Sequence, residues 1–256
     1  MMFDGRSGLE FMSTMMSGPI LLSAPRGDGH SVIIVPGFRQ AASQLMPLQC
    51  YLDSLGYDTH TFIEGGGAAN RETVSQLAER AEDLSNKGAS PVSLIGWSLG
   101  GLIARAVAVE RPRCVRQVIT LSSPFAGDPS DNSLVRMHDR MSSVPLVEVS
   151  EDIKALARGP LPVPTSAIYS RSDGLLPWKH CINDASAVNA ENIEVISSHG
   201  GVGMHPVVML VVANRLRQSP EVWSALPLHS GQPCLSSLLP WFTGAGSAGF
   251  FGGESR

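Results

Sequence analysis

Short apolar runs rich in β-branched residues alternate along the chain with longer segments whose apolar residues recur every three or four positions. The first pattern predicts strands buried on both faces, and the second predicts helices with one buried side. Ser31-Val-Ile-Ile-Val35 is the first such strand and stops at Pro36-Gly37. A helix follows, capped by Ser43, with Leu45, Leu48, Tyr51, Leu52 and Leu55 on its inner side and Gly56 at its end. Tyr57 to Phe62 predicts a second strand and Gly65-Gly66-Gly67 a loop. Val74, Leu77, Ala78, Ala81 and Leu84 then predict the inner side of a second helix, closed by Gly88. The pattern repeats as strand 91–96, helix 99–110, strand 115–121, strand 165–170, strand 193–197 and a final helix over 206–217. Strands separated by helices long enough to cross over predict an open α/β domain, a parallel sheet with helices on both faces.

Between Pro124 and Pro164 the alternation stops, and Leu134, Met137 and Met141 form one apolar stripe at helical spacing. An irregular segment of this length inside a compact domain is expected to be functional, here a cap or lid over 124–164. The organisation expected is an N-terminal extension over 1–30, the α/β domain over 31–230 and a Gly- and Ser-rich tail over 231–256, partly docked and mobile at its end.

Composition narrows the function classes. Of the 256 residues, 43% are hydrophobic and 16% charged, which excludes disorder for most of the chain. The 19 Lys+Arg against 23 Asp+Glu give a net charge of -4 without any block of like sign, so a nucleic-acid partner is not expected. Cys50, Cys114, Cys181 and Cys234 stand far apart, with no C-x-x-C pair and no histidine at ligand spacing. They read as reduced, small buried hydrophobes, and no metal site is expected. The N-terminus lacks the continuous apolar core of a secretory signal, and the longest apolar run, 207–213, is far short of a membrane span. A cytoplasmic protein without a transmembrane segment is the expectation.

The candidate chemistry centres on Gly96-Trp97-Ser98-Leu99-Gly100. This G-x-S-x-G pattern places a serine on a tight turn between a strand and a helix, where only glycine fits two residues to either side. The bare pattern is common in a Gly- and Ser-rich chain; its position between strand 91–96 and helix 99–110 is what makes it informative. A serine hydroxyl becomes a nucleophile when a histidine takes its proton and a carboxylate orients that histidine. Asp173, beyond strand 165–170, and His199, beyond strand 193–197, stand at strand ends in the required order. His205 is the alternative base, and His30, His60, His138 and His180 are expected at the surface. The developing oxyanion needs preorganised N–H donors, which the backbone of Leu99 and of Phe38, in the loop after the first strand, can supply.

Together, Val32-Ile-Ile-Val-Pro-Gly-Phe38, Gly96-Trp-Ser-Leu-Gly-Gly101, Thr120-Leu-Ser-Ser-Pro-Phe125, Ser172-Asp-Gly174 and Ser198-His-Gly-Gly-Val-Gly203 resemble an α/β-hydrolase-fold serine hydrolase of the bacterial lipase/esterase-like branch. The resemblance covers about residues 30 to 218. It departs at Pro36-Gly37, where many members have His-Gly. It implies the α/β-hydrolase fold with a minimal, mostly parallel sheet of about six strands and a cap insertion. It also implies hydrolysis of a small-molecule or lipid-like carboxylic ester through an acyl-enzyme, without metal or organic cofactor. The apolar acyl group would be bound by Phe125, Leu134, Met137 and Met141. Thioester hydrolysis or acyl transfer on the same residues, and a non-catalytic binding protein of this fold, are the alternatives.

Overall fold

The computed structural model describes residues 5–38, 40, 42–63, 68–127 and 149–227. Two helices come first, α1 (Gly5–Met16) and α2 (Gly18–Leu22), followed by strand β1 (Ser31–Val35). Then come α3 (Ala42–Ser54), β2 (Asp58–Thr61), α4 (Arg71–Gly88), β3 (Val92–Trp97), α5 (Leu99–Glu110) and β4 (Val115–Leu121). The described chain resumes with α6 (Glu151–Arg158), β5 (Thr165–Tyr169), β6 (Ala190–Glu194) and α7 (Pro206–Leu216). The six strands form one sheet in the order β2-β1-β3-β4-β5-β6, every neighbouring pair parallel. The expected six-stranded parallel sheet is therefore what forms. Residues 128–148, with Leu134, Met137 and Met141 of the expected lid, lie outside the described residues, as does the tail from 228 onward.

Alternation along each strand divides the apolar side chains between two cores. Val32, Ile34, Ile95, Trp97, Ile119 and Leu121 point into one with α3 and α7, whereas Ile33, Val35, Leu94 and Val118 point into the other with α4 and α5. Burial on both faces is why β1 and β3 read as continuous apolar runs. Helix α4 starts where the Asn70 side chain accepts the Thr73 N–H at 2.9 Å, and α7 starts with Pro206 in its first turn. Helix α6 buries Ile153 and Ala157. Arg105 on α5, itself fully buried, clasps α6 by donating to Ala157 O at 2.5 Å and Gly159 O at 2.8 Å, and reaches Asn183 Oδ1 at 3.0 Å. Burial pushes this guanidinium down to about 10, so it remains charged at neutral pH.

Several sequence expectations shift. Strand 193–197 is corrected to β6 at 190–194, because β5 ends at Tyr169, whose carbonyl takes the Val195 N–H as the last bond between them; Ile196 is 80% exposed. Ser43 lies inside α3 rather than at its cap. Cys50 is exposed, against the expectation of a buried thiol, while Cys114 and Cys181 are buried. His30 is buried, not a surface residue. Its Nδ1 lies 2.5 Å from Asp28 Oδ1 and its Nε2 lies 2.8 Å from Ser93 Oγ.

Burial, with a smaller contribution from the nearby Arg116 cation, lowers the His30 pKa below the ordinary histidine value, against the pull of Asp28 in the other direction. The consequence for stability has a definite sign. As pH falls through about 6.5 the unfolded chain takes up a proton that the folded chain refuses, so stability is lost from there downward. We expect the melting temperature to fall between pH 7.5 and pH 5.5, and His30→Asn to reduce that difference. An unchanged pH dependence in His30→Asn would refute this account.

Candidate active site

The carboxyl edge of the sheet brings Ser98, Asp173 and His199 together. Ser98 follows β3 directly and has φ 53° and ψ -120°, a left-handed φ that a serine adopts only when its surroundings enforce it. The enforcing contacts come from glycines. A Cβ on Gly96 would lie 2.6 Å from Gly100 O and Gly101 N, and one on Gly100 would lie 2.5 Å from Pro36 O. The turn is also tied to the sheet, since Ser98 N–H donates to Leu121 O at 2.8 Å.

The two partners reach this serine from loops after β5 and β6. His199 Nε2 lies 3.1 Å from Ser98 Oγ, and His199 Nδ1 lies 2.8 Å from Asp173 Oδ2. The second Asp173 oxygen accepts the N–H groups of Leu175 at 3.0 Å and Leu176 at 2.8 Å. Burial alone would raise the Asp173 carboxyl. The hydrogen bond and charge of His199, together with the two amides, outweigh that and hold it below the usual carboxylate value. It is therefore an anion at neutral pH, able only to accept, which puts the proton on Nδ1 and leaves Nε2 free to accept from Ser98. Exposure rises along the line. The Asp173 side chain is 3% exposed and that of His199 13%, while Ser98 is half-buried.

The His199 backbone is fixed from both sides, its N–H donating to Asp173 O at 3.0 Å and its carbonyl accepting from Trp97 Nε1 at 3.2 Å. Trp97 is a variable position of the G-x-S-x-G pattern, and its anchoring bond is not readable from the pattern itself. The Ser170 hydroxyl accepts the N–H groups of Ser172 and Ser197, each at 3.1 Å, and donates to Ser197 O at 2.8 Å, joining the two loops.

The remaining sequence candidates are distributed as follows. Leu99 opens α5, so its N–H has no carbonyl within the helix, and neither this N–H nor that of Phe38 has a hydrogen-bond partner among the described residues. Gly37 brings the Phe38 loop against the serine, since a Cβ there would lie 3.0 Å from Ser98 Cβ. Phe125 is 2% exposed, with the Arg105 guanidinium carbon 3.8 Å above its ring, so the described structure packs it in the core rather than in an open wall. His205 begins α7. No hydrogen bond among the described residues links it to Ser98 or Asp173, and burial lowers its pKa.

Comparison with known proteins bears on the family and the fold. Residues 60–208, a span that includes Ser98, Asp173 and His199, match the family described as PGAP1-like alpha/beta domain. A pimeloyl-(acyl-carrier protein) methyl ester esterase of Yersinia pseudotuberculosis is 36% identical over 61 residues, 24% of this chain and 24% of that protein. The esterase of the same name from Shewanella woodyi is 29% identical over 98 residues, 38% of this chain and 37% of its own length. The matches thus span 24% to 37% of these curated relatives. Among solved structures, lipase B of Aspergillus fumigatus superposes with a TM-score of 0.60 at 20% identity, covering 75% of this chain and 53% of the lipase. The monoacylglycerol lipase of Paleococcus ferrophilus does so with a TM-score of 0.52 at 16% identity, covering 74% and 96%. These structures share the α/β-hydrolase fold with this chain.

Proposed function

The chain belongs to the family of PGAP1-like alpha/beta domains, with the α/β-hydrolase fold, and from that premise we propose that it hydrolyses carboxylic esters through an acyl-enzyme on Ser98. The observation that carries the reading is the unbroken hydrogen-bond line from Asp173 through His199 to Ser98. In this reading Ser98 Oγ attacks the ester carbonyl carbon while His199 Nε2 takes its proton, and Asp173 stabilises the imidazolium. The carbonyl oxygen becomes an oxyanion held by the N–H groups of Leu99 and Phe38. As the tetrahedral adduct collapses, the C–O bond to the alcohol breaks and His199 returns the proton to the leaving alkoxide. Water then attacks the acyl-enzyme by the same route, releasing the acid and restoring Ser98.

An ester substrate is supported by the relatives, whose names describe a methyl ester esterase. An apolar acyl group is supported by Phe38, which is half-buried, packs against the core and follows Gly37, which lies against the serine. The test is active-site labelling with a fluorophosphonate probe, followed by p-nitrophenyl esters of two to twelve carbons. We expect one equivalent of label on Ser98, none in Ser98→Ala, and faster turnover of medium-chain than of acetyl esters. Label that persists in Ser98→Ala would overturn the assignment.

A further inference from the structure

Helix α1 docks in an unusual sense. A helix ordinarily buries its apolar stripe, but α1 turns Ser7, Glu10 and Thr14 inward while Met12, Met15 and Met16 are exposed. What holds it is hydrogen bonding, and the bonds go to the residues adjoining the proposed triad. Arg6 Nη1 donates to Ser172 O at 2.8 Å and its Nη2 to Ser172 Oγ at 3.1 Å; Ser172 precedes Asp173. Glu10 Oε1 accepts the Ser198 N–H at 2.7 Å and Oε2 accepts the Ser198 hydroxyl at 2.5 Å; Ser198 precedes His199. Arg6 and Glu10 stand one helical turn apart on the same face, so a single helix grips both loops.

The Ser198 hydroxyl has one proton to give and two lone pairs. Gly201 N–H donates to it at 3.1 Å and Ser7 Oγ lies 3.2 Å away, which uses both lone pairs if Ser7 donates. The proton then goes to the Glu10 carboxylate, completing a saturated and buried set. Glycine at 201 is part of the fit, since a Cβ there would lie 2.6 Å from the Glu10 carboxyl carbon.

We propose that Arg6 and Glu10 are positioning residues, a clamp by which helix α1 holds His199 in register with Asp173 and Ser98. The proposal rests on the reading of Ser98, His199 and Asp173 as a catalytic triad. Charge-assisted bonds fix the backbone next to each of the two loop residues, and a misplacement of about 1 Å at reacting groups costs a factor of about 10².

The test measures kcat and KM for a p-nitrophenyl ester in Glu10→Ala, Glu10→Gln and Arg6→Ala. Each is made in the wild-type chain and in a His199→Ala background, with melting temperatures alongside. Glu10→Ala is expected to lower kcat about 10- to 100-fold with KM within about twofold, and to slow fluorophosphonate labelling of Ser98 by the same factor. Glu10→Gln, which keeps an acceptor for the Ser198 N–H, is expected to recover most of the rate. In the His199→Ala background none of the three should lower the residual rate further, because a clamp that acts through His199 has nothing left to position. Equal fractional losses in both backgrounds would reduce α1 to ordinary structural support and overturn the proposal, as would a wild-type kcat in folded Glu10→Ala. Should Glu10→Ala not fold, Glu10→Gln and Arg6→Ala decide by the same two-background comparison. Activity retained in Ser98→Ala would remove the triad reading, whereas a dead Ser98→Ala beside a fully active Glu10→Ala would remove the clamp alone.

Discussion

Ser98→Ala and His199→Ala are each expected to lower kcat for a p-nitrophenyl ester by a factor of about 10³ or more, equivalent to about 4 kcal/mol of transition-state stabilisation. The double variant should be little worse than either single one. The reason is geometric: His199 Nε2, 3.1 Å from Ser98 Oγ, is the acceptor of the hydroxyl proton in the proposed mechanism, so removing either group removes the same proton transfer. What remains is binding and the Leu99 and Phe38 donors, which do not need the pair. His205→Ala separates the two histidines. It caps the N-terminus of α7, has a buried Nδ1 without a partner among the described residues, and is not hydrogen-bonded to the serine. Its replacement should cost less than about threefold by the same reasoning. Steady-state rates of the four variants on one ester check this, and a larger loss in His205→Ala than in His199→Ala would transfer the role of base.

The parts of this site that were legible in the sequence are those written in short, local patterns. Gly96 and Gly100 around Ser98 are readable because a strained turn at a strand end excludes a Cβ at both positions, and the left-handed φ of Ser98 is that strain in the structure. Asp173 and His199 could be placed by chain order and strand ends, although the strand before His199 ends earlier than its apolar residues suggest. Val195 still buries its side chain and its N–H still bonds Tyr169 O, yet β5 offers no further partner and Ile196 turns outward. Hydrophobic pattern registers burial, and here apolar burial outlasts the strand by one residue, Val195.

Illegible were the interactions that join residues far apart in sequence through polar groups. In the sequence, His30 looks like a solitary surface histidine because its partner Ser93 is 63 residues away. In the sequence, helix α1 looks only like an extension, because its apolar residues do not mark its buried face. Leu9, Met12, Met15 and Met16 lie outward, and the inward Ser7, Glu10 and Thr14 bond Ser198 and Met204, contacts that no local periodicity encodes. In the sequence Trp97 is only a filler of the G-x-S-x-G pattern, whereas its indole N–H holds the backbone of His199.

One added methyl group should discriminate sharply between two glycines of this chain. At Gly100 a Cβ would lie 2.5 Å from Pro36 O and 2.7 Å from the Val35 carbonyl carbon, distances that real Cβ atoms do not occupy. The neighbour cannot yield cheaply, because β1 is hydrogen-bonded on both sides, to β2 and to β3. Helix α5 cannot retreat either. A Cβ at Gly101 would already lie 2.5 Å from Ser123 Cβ, and Ser98 N–H is tied to β4. The methyl therefore has to push the serine turn off the sheet. Gly100→Ala is expected to destabilise the chain by about 4 kcal/mol or more, the range reached when backbone strain and overpacking act together, and to lower the melting temperature by roughly 10 °C. Gly88, the last residue of α4, has nothing within 4 Å of its added Cβ. There Gly88→Ala gains helix propensity and should stabilise by about 0.5–1 kcal/mol. Thermal melts of the two variants measure the contrast directly. A wild-type melting temperature in Gly100→Ala would mean that the turn has slack, and then neither the positive φ of Ser98 nor its alignment with His199 could be attributed to close packing of α5 on β1.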